Sequence, residues 1–459
     1  MYNASSVSEE ETIRMELRDY QKSDVQRIHQ TASLGIFSEQ RTGKTPTAII
    51  GMLSKCTRIL VVCPNSLVYN WSAEFETWAG KDTTVITKME IPKDHADIII
   101  VNYEKLAPTK KHEGLYKALL KLKFDGIIVD EAHRIKNRDA AISKCLVHMA
   151  HKIPHRLALT GTPAHDRPED VWNILHFIEP HVFTSYWDFV DTWCVMETVW
   201  TPKGGTTRPA GLLAAKRELF AEMLNKYAIM HKREEVMDWD TDQDIIDIKI
   251  PLNSTQSKYL QDLEQFFDCT DGTTTIEAKG VLDRLIRYRQ ICNAPAILSL
   301  KGKAPKVEWI KDFIKHSDDS TIIFSNSRKF LDVLDHELSK ICTFDRIDGT
   351  ISPIKRKEAV QKFQAKQIRV LLIQTQAGKE GLTLDQADST IFCDVYPPMS
   401  DYLQAKDRAV PTDKSRVKNR TVYRLMMKDS FDETLYALVD NNINASDVIN
   451  NFVKYIRRN

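Results

Sequence analysis

Short runs of apolar, mostly β-branched residues recur along this chain, and they constrain its fold more than any other feature. They occupy residues 59–64, 97–101, 126–130 and 156–160, and again 320–325, 369–373 and 389–393. Apolarity within each run is continuous rather than alternating, which marks strands buried on both faces. Helical patterns separate the runs, so each block is expected to build a parallel α/β sheet. The fold class is therefore α/β, with two such units.

Between the two blocks the texture changes. Residues 165–295 carry Trp172, Phe183, Tyr186, Trp187, Phe189, Trp193 and Trp200 among long helix-like patterns, with a loop candidate at 201–207. Rings of this size are mostly buried, so they are expected to form a packing core rather than a base-stacking platform. The stretch reads as a helical insertion that starts near residue 165 and hangs from the first unit. The domains are placed at 1–252, insertion included, and 253–459.

A chain of 459 residues can bury cores for two or three domains. Its 64 basic residues nearly balance 63 acidic ones, which excludes a globally basic coat for nucleic acid. A polyanion would have to be gripped by local tracks. One candidate track holds Lys105, Lys110, Lys111, Lys117, Lys121 and Lys123, and reads equally well as a solvated helix face. Another holds Lys414, Arg416, Lys418, Arg420 and Arg424. The eight cysteines are scattered without a C-x-x-C pair, which speaks against a zinc or iron–sulfur site and for a reducing, cytoplasmic setting. The polar start of the chain predicts no secretory leader, and no apolar run approaches the ~20 residues of a membrane span.

Chemistry enters at two places. Ser38-Glu39-Gln40-Arg41-Thr42-Gly43-Lys44-Thr45 ends in the Gly-Lys-Thr of a phosphate loop, although Ser38 stands where the full pattern wants glycine. Such a turn offers backbone N–H groups to phosphates, with Lys44 on the β and γ phosphates and the Thr45 hydroxyl on magnesium. Arg41, Thr42 and Gly43 complete the candidate ATP contacts. Ile127-Ile128-Val129-Asp130-Glu131 then closes an apolar strand with paired acids. Asp130 would hold the magnesium and Glu131 would orient and deprotonate the attacking water. A helix start complemented by two acids is the plainer alternative, but acids at buried strand ends mark sites in open α/β sheets.

In these motifs the chain resembles superfamily 2 helicases, specifically the Swi/Snf-type translocases on double-stranded DNA. Leu17-Arg18-Asp19-Tyr20-Gln21 resembles the adenine-reading segment, with Gln21 as the base contact. Residues 59–78, with Cys63-Pro64-Asn65-Ser66-Leu67 and Trp71, resemble the first nucleic-acid-contacting motif. Asp130-Glu131-Ala132-His133 is similar to the acidic box (a DEAH sequence), and Thr160-Gly161-Thr162 to the motif coupling hydrolysis to movement. Met230-His231-Lys232-Arg233 and Arg289-Gln290-Ile291-Cys292-Asn293 resemble segments peculiar to this group. Ser325-Asn326, Asp348-Gly349-Thr350, Thr375-Gln376 and Gln404-Ala405-Lys406-Asp407-Arg408 match in order, so the similarity runs from about residue 14 to 440.

The resemblance implies two RecA-like lobes with ATP and Mg2+ between them, the second lobe supplying Arg408 and Gln404. It also implies phosphate contacts from Ser66, Asn102, Tyr103, Ser325, Asn326, Thr375 and Gln376, and favours function for the basic track that follows Arg408. One departure stands out. Where the family continues with a His-Arg pair, this chain has Val410 and Pro411. Arg408 is then expected to be the arginine finger, with Arg416 or Arg420 as substitutes. The function implied is ATP-dependent translocation on duplex or branched DNA by a compact, monomeric enzyme, as in fork remodelling or branch migration. An RNA-dependent helicase and an ATP-binding switch with little hydrolysis are the alternatives.

Overall fold

A computed structural model of the chain describes residues 16–110, 112–161, 167–201, 204–237, 243–378, 382, 384–396, 399–410, 420–441 and 445–458. It divides into two compact units, Met1–Val236 and Met237–Asn459. Among the described residues no helix is long and apolar enough to cross a membrane.

The first unit is built on a parallel sheet of seven strands. In chain order these are β1 (Ser33–Ile36), β2 (Ile59–Cys63), β3 (Thr84–Val85), β4 (Ile98–Asn102), β5 (Gly126–Asp130) and β6 (His155–Leu159), with β9 (Ala228–Ile229) following the antiparallel pair β7 (Cys194–Thr201) and β8 (Gly204–Leu212). The spatial order is β3-β4-β2-β5-β6-β1-β9. Each central strand feeds two cores. Leu60, Val62, Ile99, Val101, Ile127 and Val129 point to one, while Ile59, Val61, Cys63, Ile98, Ile100 and Ile128 point to the other. That is the physical reason for the continuous apolar runs. Three helices close the second core: α1 (Asp19–Gln30) through Ile28, α2 (Lys44–Leu53) through Ile49 and Met52, and α3 (Val68–Ala79) through Trp71 and Phe75.

The expected helical insertion is only partly helical. Helices Pro168–Ile178, Tyr186–Trp193 and Arg217–Tyr227 are present, but the loop candidate at 201–207 belongs largely to the β7–β8 pair. Phe189 and Trp172 are buried as packing residues, whereas Trp187 stands half exposed. Arg138 lies over the faces of Tyr186 and Trp187, at 3.7 and 5.6 Å from the ring centroids.

The second unit carries a six-stranded parallel sheet. Its strands are β10 (Asp244–Ile250), β13 (Thr321–Ser325), β14 (Phe344–Ile347), β15 (Val370–Gln374), β16 (Ser389–Phe392) and β17 (Thr421–Met427), in the order β10-β17-β16-β13-β15-β14. A small antiparallel pair, β11 (Asp268–Thr270) with β12 (Thr275–Glu277), lies apart. The unit boundary at Val236/Met237 precedes the expected 252/253, because β10 pairs along its whole length with β17 and so belongs to the second sheet.

Candidate functional site

The phosphate loop leaves the C-terminal end of β1 and runs into α2. Gly43 caps α2 with φ +71°, and a Cβ there would come within 2.1 Å of Gln21 Nε2. The left-handed backbone favours glycine, and a side chain there would push the Gln21 amide away from the loop. Ser38, by contrast, is buried outside the left-handed region, its Oγ accepting from the His231 N–H at 3.1 Å. The second left-handed residue is Arg41, with φ +70°. For a residue with a Cβ that conformation costs roughly 1 kcal/mol. The strained backbone of the loop is therefore at Arg41 and not at Ser38.

Lys44 Nζ donates to the carbonyls of Ser38 and Glu39, each at 2.9 Å, so its ammonium rests on the rim of its own loop. Thr42 Oγ1 donates to the Glu39 carbonyl at 2.8 Å, and the Tyr20 hydroxyl to the Thr42 carbonyl at 2.8 Å. Gln21 ties α1 to the same loop, accepting from Arg18 N at 2.8 Å and donating to the Gly43 carbonyl at 3.3 Å. From the far end of the unit, His231 Nε2 meets the Asp24 carboxylate at 2.9 Å and Arg233 N donates to Glu39.

The acids sit two strands away, at the same edge of the sheet. Asp130 ends β5; its Oδ2 accepts from Trp71 Nε1 and its Oδ1 from the Glu131 N–H, both at 2.9 Å. Burial, reinforced by the neighbouring Glu131 charge, pushes the Asp130 carboxyl up to about 6, and the Lys44 charge pulls the other way. Glu131 leaves the strand at φ +53°, a strained turn of the kind that collects at functional sites. Its Oε2 lies 3.2 Å from His133 Nδ1, and that nitrogen lies 3.5 Å from Thr160 Oγ1. The Tyr103 hydroxyl donates to the Asp130 carbonyl. The adjacent Asp130 and Glu131 carboxylates and the Thr45 hydroxyl in the first turn of α2 are hard oxygen donors of the kind that suits Mg2+. The left-handed turn at Gly43, which leads into the start of α2, suits phosphates.

The remaining expected residues fall into distinct groups. Thr160 is buried with its N–H on the Ile36 carbonyl, and a Cβ on Gly161 would come within 2.6 Å of Gln40 Nε2. Thr162, Pro411, Lys414, Arg416 and Lys418 lie outside the described residues. Ser66 sits half-buried in the turn Asn65–Leu67, beside exposed Asn65. Gln376 is exposed, while Thr375 and Gln404 are buried. Arg408 is only 9% exposed, and its carbonyl accepts from Leu384 N.

Three expected phosphate contacts are turned inward. Tyr103 is 1% exposed beneath Asp130; Asn102 is bonded to Glu104 and Lys105; Ser325 is fully buried with its hydroxyl on Asp394. Asn326 bonds Asp394 through its backbone N–H and side chain, which leaves it part-buried. The second basic track also loses members. Arg424 grips Asp247 with two nitrogens and Asp440 with a third, and Arg420 donates to the Asp385 carbonyl inside the unit. Both are structural cations rather than free phosphate contacts.

Sequence reasoning missed the Asp24–His231 pair, the role of Asp394 and the contact from Trp71 to Asp130. Only Trp71 and His231 had a signal, each lying in a quoted motif.

Comparison with known proteins gives the family of the chain. Residues 9–297 match the SNF2-related domain, and residues 305–410 match the helicase conserved C-terminal domain. The nuclear protein STH1/NPS1 of Saccharomyces cerevisiae is 28% identical over 82% of this chain and 30% of its own length. The ISWI chromatin-remodeling complex ATPase ISW1 of the same organism is 26% identical over 92% of this chain and 39% of its own. The chain thus spans 30% and 39% of the length of these two relatives. The Sulfolobus solfataricus SWI2/SNF2 ATPase core in complex with dsDNA aligns over 93% of this chain and 91% of that one, with 21% identity and a TM-score of 0.43. With the first of these domains covering more than half of its residues, the chain belongs to the SNF2-related family.

Proposed function

We propose that this protein is an ATP-driven translocase on duplex or branched DNA, of the kind that remodels forks or migrates branches in repair, recombination or replication. The observation that carries the reading is that the loop holding Lys44 and the Asp130–Glu131 pair leave the same end of one parallel sheet, from β1 and β5 on either side of β6. Membership of the SNF2-related family, and relatives named as ATPases and as helicase-DNA-binding proteins, support ATP and DNA as the partners.

The residues divide the chemistry. Lys44 exchanges its two loop carbonyls for phosphate oxygens, a stronger charge-assisted bond. Magnesium, when bound, neutralises phosphate charge and fixes the phosphate geometry. Thr45 and Asp130 are the residues that would hold it. Glu131 takes the proton of the attacking water, and its contact with His133, which in turn lies near Thr160, gives that carboxylate a fixed orientation. Arg408 is the proposed cation for charge developing on the transferred phosphoryl group. Exposed Asn65 and Gln376, with half-buried Ser66, are the proposed backbone contacts, which read charge and shape rather than sequence.

The test is ATP hydrolysis by the full chain with duplex DNA, a four-way junction, single-stranded DNA and RNA, together with displacement of a triplex-forming strand from duplex DNA. Stimulation by duplex or junction, with triplex displacement, is the expected result. Stimulation by RNA alone would assign an RNA-dependent helicase. Binding of ATP without phosphate release under any condition would make the protein a switch.

A further inference from the structure

Trp71 occupies an unusual position for a core aromatic. It lies in the first turn of α3, is 1% exposed, and packs with Phe75 in the core closed by α1–α3. Its one polar atom is nonetheless committed to the catalytic edge, donating at 2.9 Å to Asp130 Oδ2. The same helix begins directly after the turn Asn65–Leu67, which leaves the end of β2 with Asn65 exposed and Ser66 half-buried. β2 and β5 are hydrogen-bonded neighbours, with Val62 opposite Val129. The turn and the acid are thus adjacent strand exits, bridged by one indole.

We propose that Trp71 is a positioning residue that transmits nucleic-acid docking on the Asn65–Leu67 turn to the orientation of the Asp130 carboxylate. This inference rests on the translocase reading above. The physical basis is rigidity. The indole is planar, has two side-chain torsions, and is locked by Phe75 and the surrounding aliphatic core. A shift of the first turn of α3 therefore moves its N–H as a unit. Asp130 has its other oxygen fixed by the Glu131 N–H and its carbonyl held by the Tyr103 hydroxyl, so Oδ2 is the atom that the indole steers. A carboxylate that must present a lone pair to a cation depends on partners of this kind for its rotamer. A buried indole N–H needs an acceptor in any case, and here that acceptor is the side chain of Asp130 itself, so Trp71→Phe removes the donor while the ring still fills the core.

The experiment compares wild type with Trp71→Phe, which keeps the ring and loses the donor. The readouts are the Mg2+ concentration half-saturating the binding of a fluorescent ATP analogue, the duplex-DNA stimulation of kcat, KM for ATP, and the unfolding temperature. Loss of a hydrogen bond to a charged acceptor is expected to raise the half-saturating Mg2+ by about tenfold. DNA stimulation should fall by a similar factor, about tenfold, with KM for ATP at saturating Mg2+ little changed. Should Trp71→Phe fold poorly, benzothienylalanine at position 71 keeps the full bicyclic shape and replaces the N–H with sulfur. Unchanged Mg2+ dependence and unchanged stimulation in either variant overturn the proposal while the translocase reading stands. If wild type hydrolyses no ATP, the coupling and the translocase reading fall together; the Mg2+ titration still reports whether Trp71 positions Asp130.

Discussion

Lys306 Nζ lies 2.6 Å from Asp432 Oδ2 in the interior of the second unit, with Lys306 wholly buried and Asp432 nearly so. The ammonium also donates to Asn293 Oδ1 at 3.1 Å and to the Cys393 carbonyl at 2.8 Å. Asn293 passes the network to Asp394, which in turn receives the Ser325 hydroxyl and the Asn326 N–H. Burial alone would discharge the lysine, but Asp432 and its neighbours outweigh that and hold its pKa above the ordinary value. The hub joins three helices to the ends of β13 and β16.

Replacing Lys306 by Met should destabilise the second unit by about 3–5 kcal/mol, because Asp432 is left buried without its cation. Chemical denaturation of the full chain measures this. The double variant Lys306→Met with Asp432→Leu should recover much of the loss, since it removes the orphaned charge as well.

Arg41→Gly relaxes a left-handed backbone that only glycine adopts without strain. The gain is offset by the greater freedom of glycine in the unfolded chain, so net stability should change by less than about 1 kcal/mol. ATP turnover should fall by about tenfold if the guanidinium assists at the phosphates, consistent with the worth of one charge-assisted contact. Steady-state kinetics beside thermal unfolding separate the two effects.

Arg424→Ala should act on stability and leave DNA binding alone. Its buried guanidinium is held by Asp247 and Asp440, so removing it cuts a tie between β10 and β17 and leaves a gap where the side chain packed. A freely exposed phosphate contact would instead reduce the slope of log affinity against log salt by about one. An unchanged slope with a lowered unfolding midpoint is the expected pair of results.

Arg408→Ala should abolish ATP hydrolysis while a fluorescent ATP analogue still binds, if Arg408 is the finger in a chain that places Pro411 where the family has arginine. A loss of at least a hundredfold in kcat is expected, on the order of what cationic fingers contribute. Because Arg408 is largely buried within its unit, Arg408→Lys serves as the companion that keeps charge and bulk.

The strands buried on both faces were legible because each must satisfy two cores at once, which leaves a continuous apolar run. β2, β4, β5, β13, β15 and β16 fall within about a residue of the runs that announce them. Edge strands escaped. β10 reads Asp-Ile-Ile-Asp-Ile-Lys-Ile and is mostly exposed, so its pattern is not that of a core strand. The β7–β8 pair escaped for a different reason, since its aromatic and threonine content sat inside a stretch whose helices dominated the reading.

At the site, the phosphate loop and acidic pair were legible because their chemistry is local in sequence. Partners far apart in sequence were not. Nothing at Arg424 foretells Asp247, and nothing at Asp24 foretells His231, so a basic residue whose charge is already matched looks like one open to phosphate.

The pairing of β10 with β17 has a practical consequence for dissecting the protein. The first and last strands of the second sheet are neighbours, so the first closes a flank that the last would otherwise present. A fragment starting at residue 253 would bare the Thr421–Met427 edge, with its unmatched backbone groups open to other chains. Such a fragment should self-associate, whereas one starting at Met237 should remain monomeric.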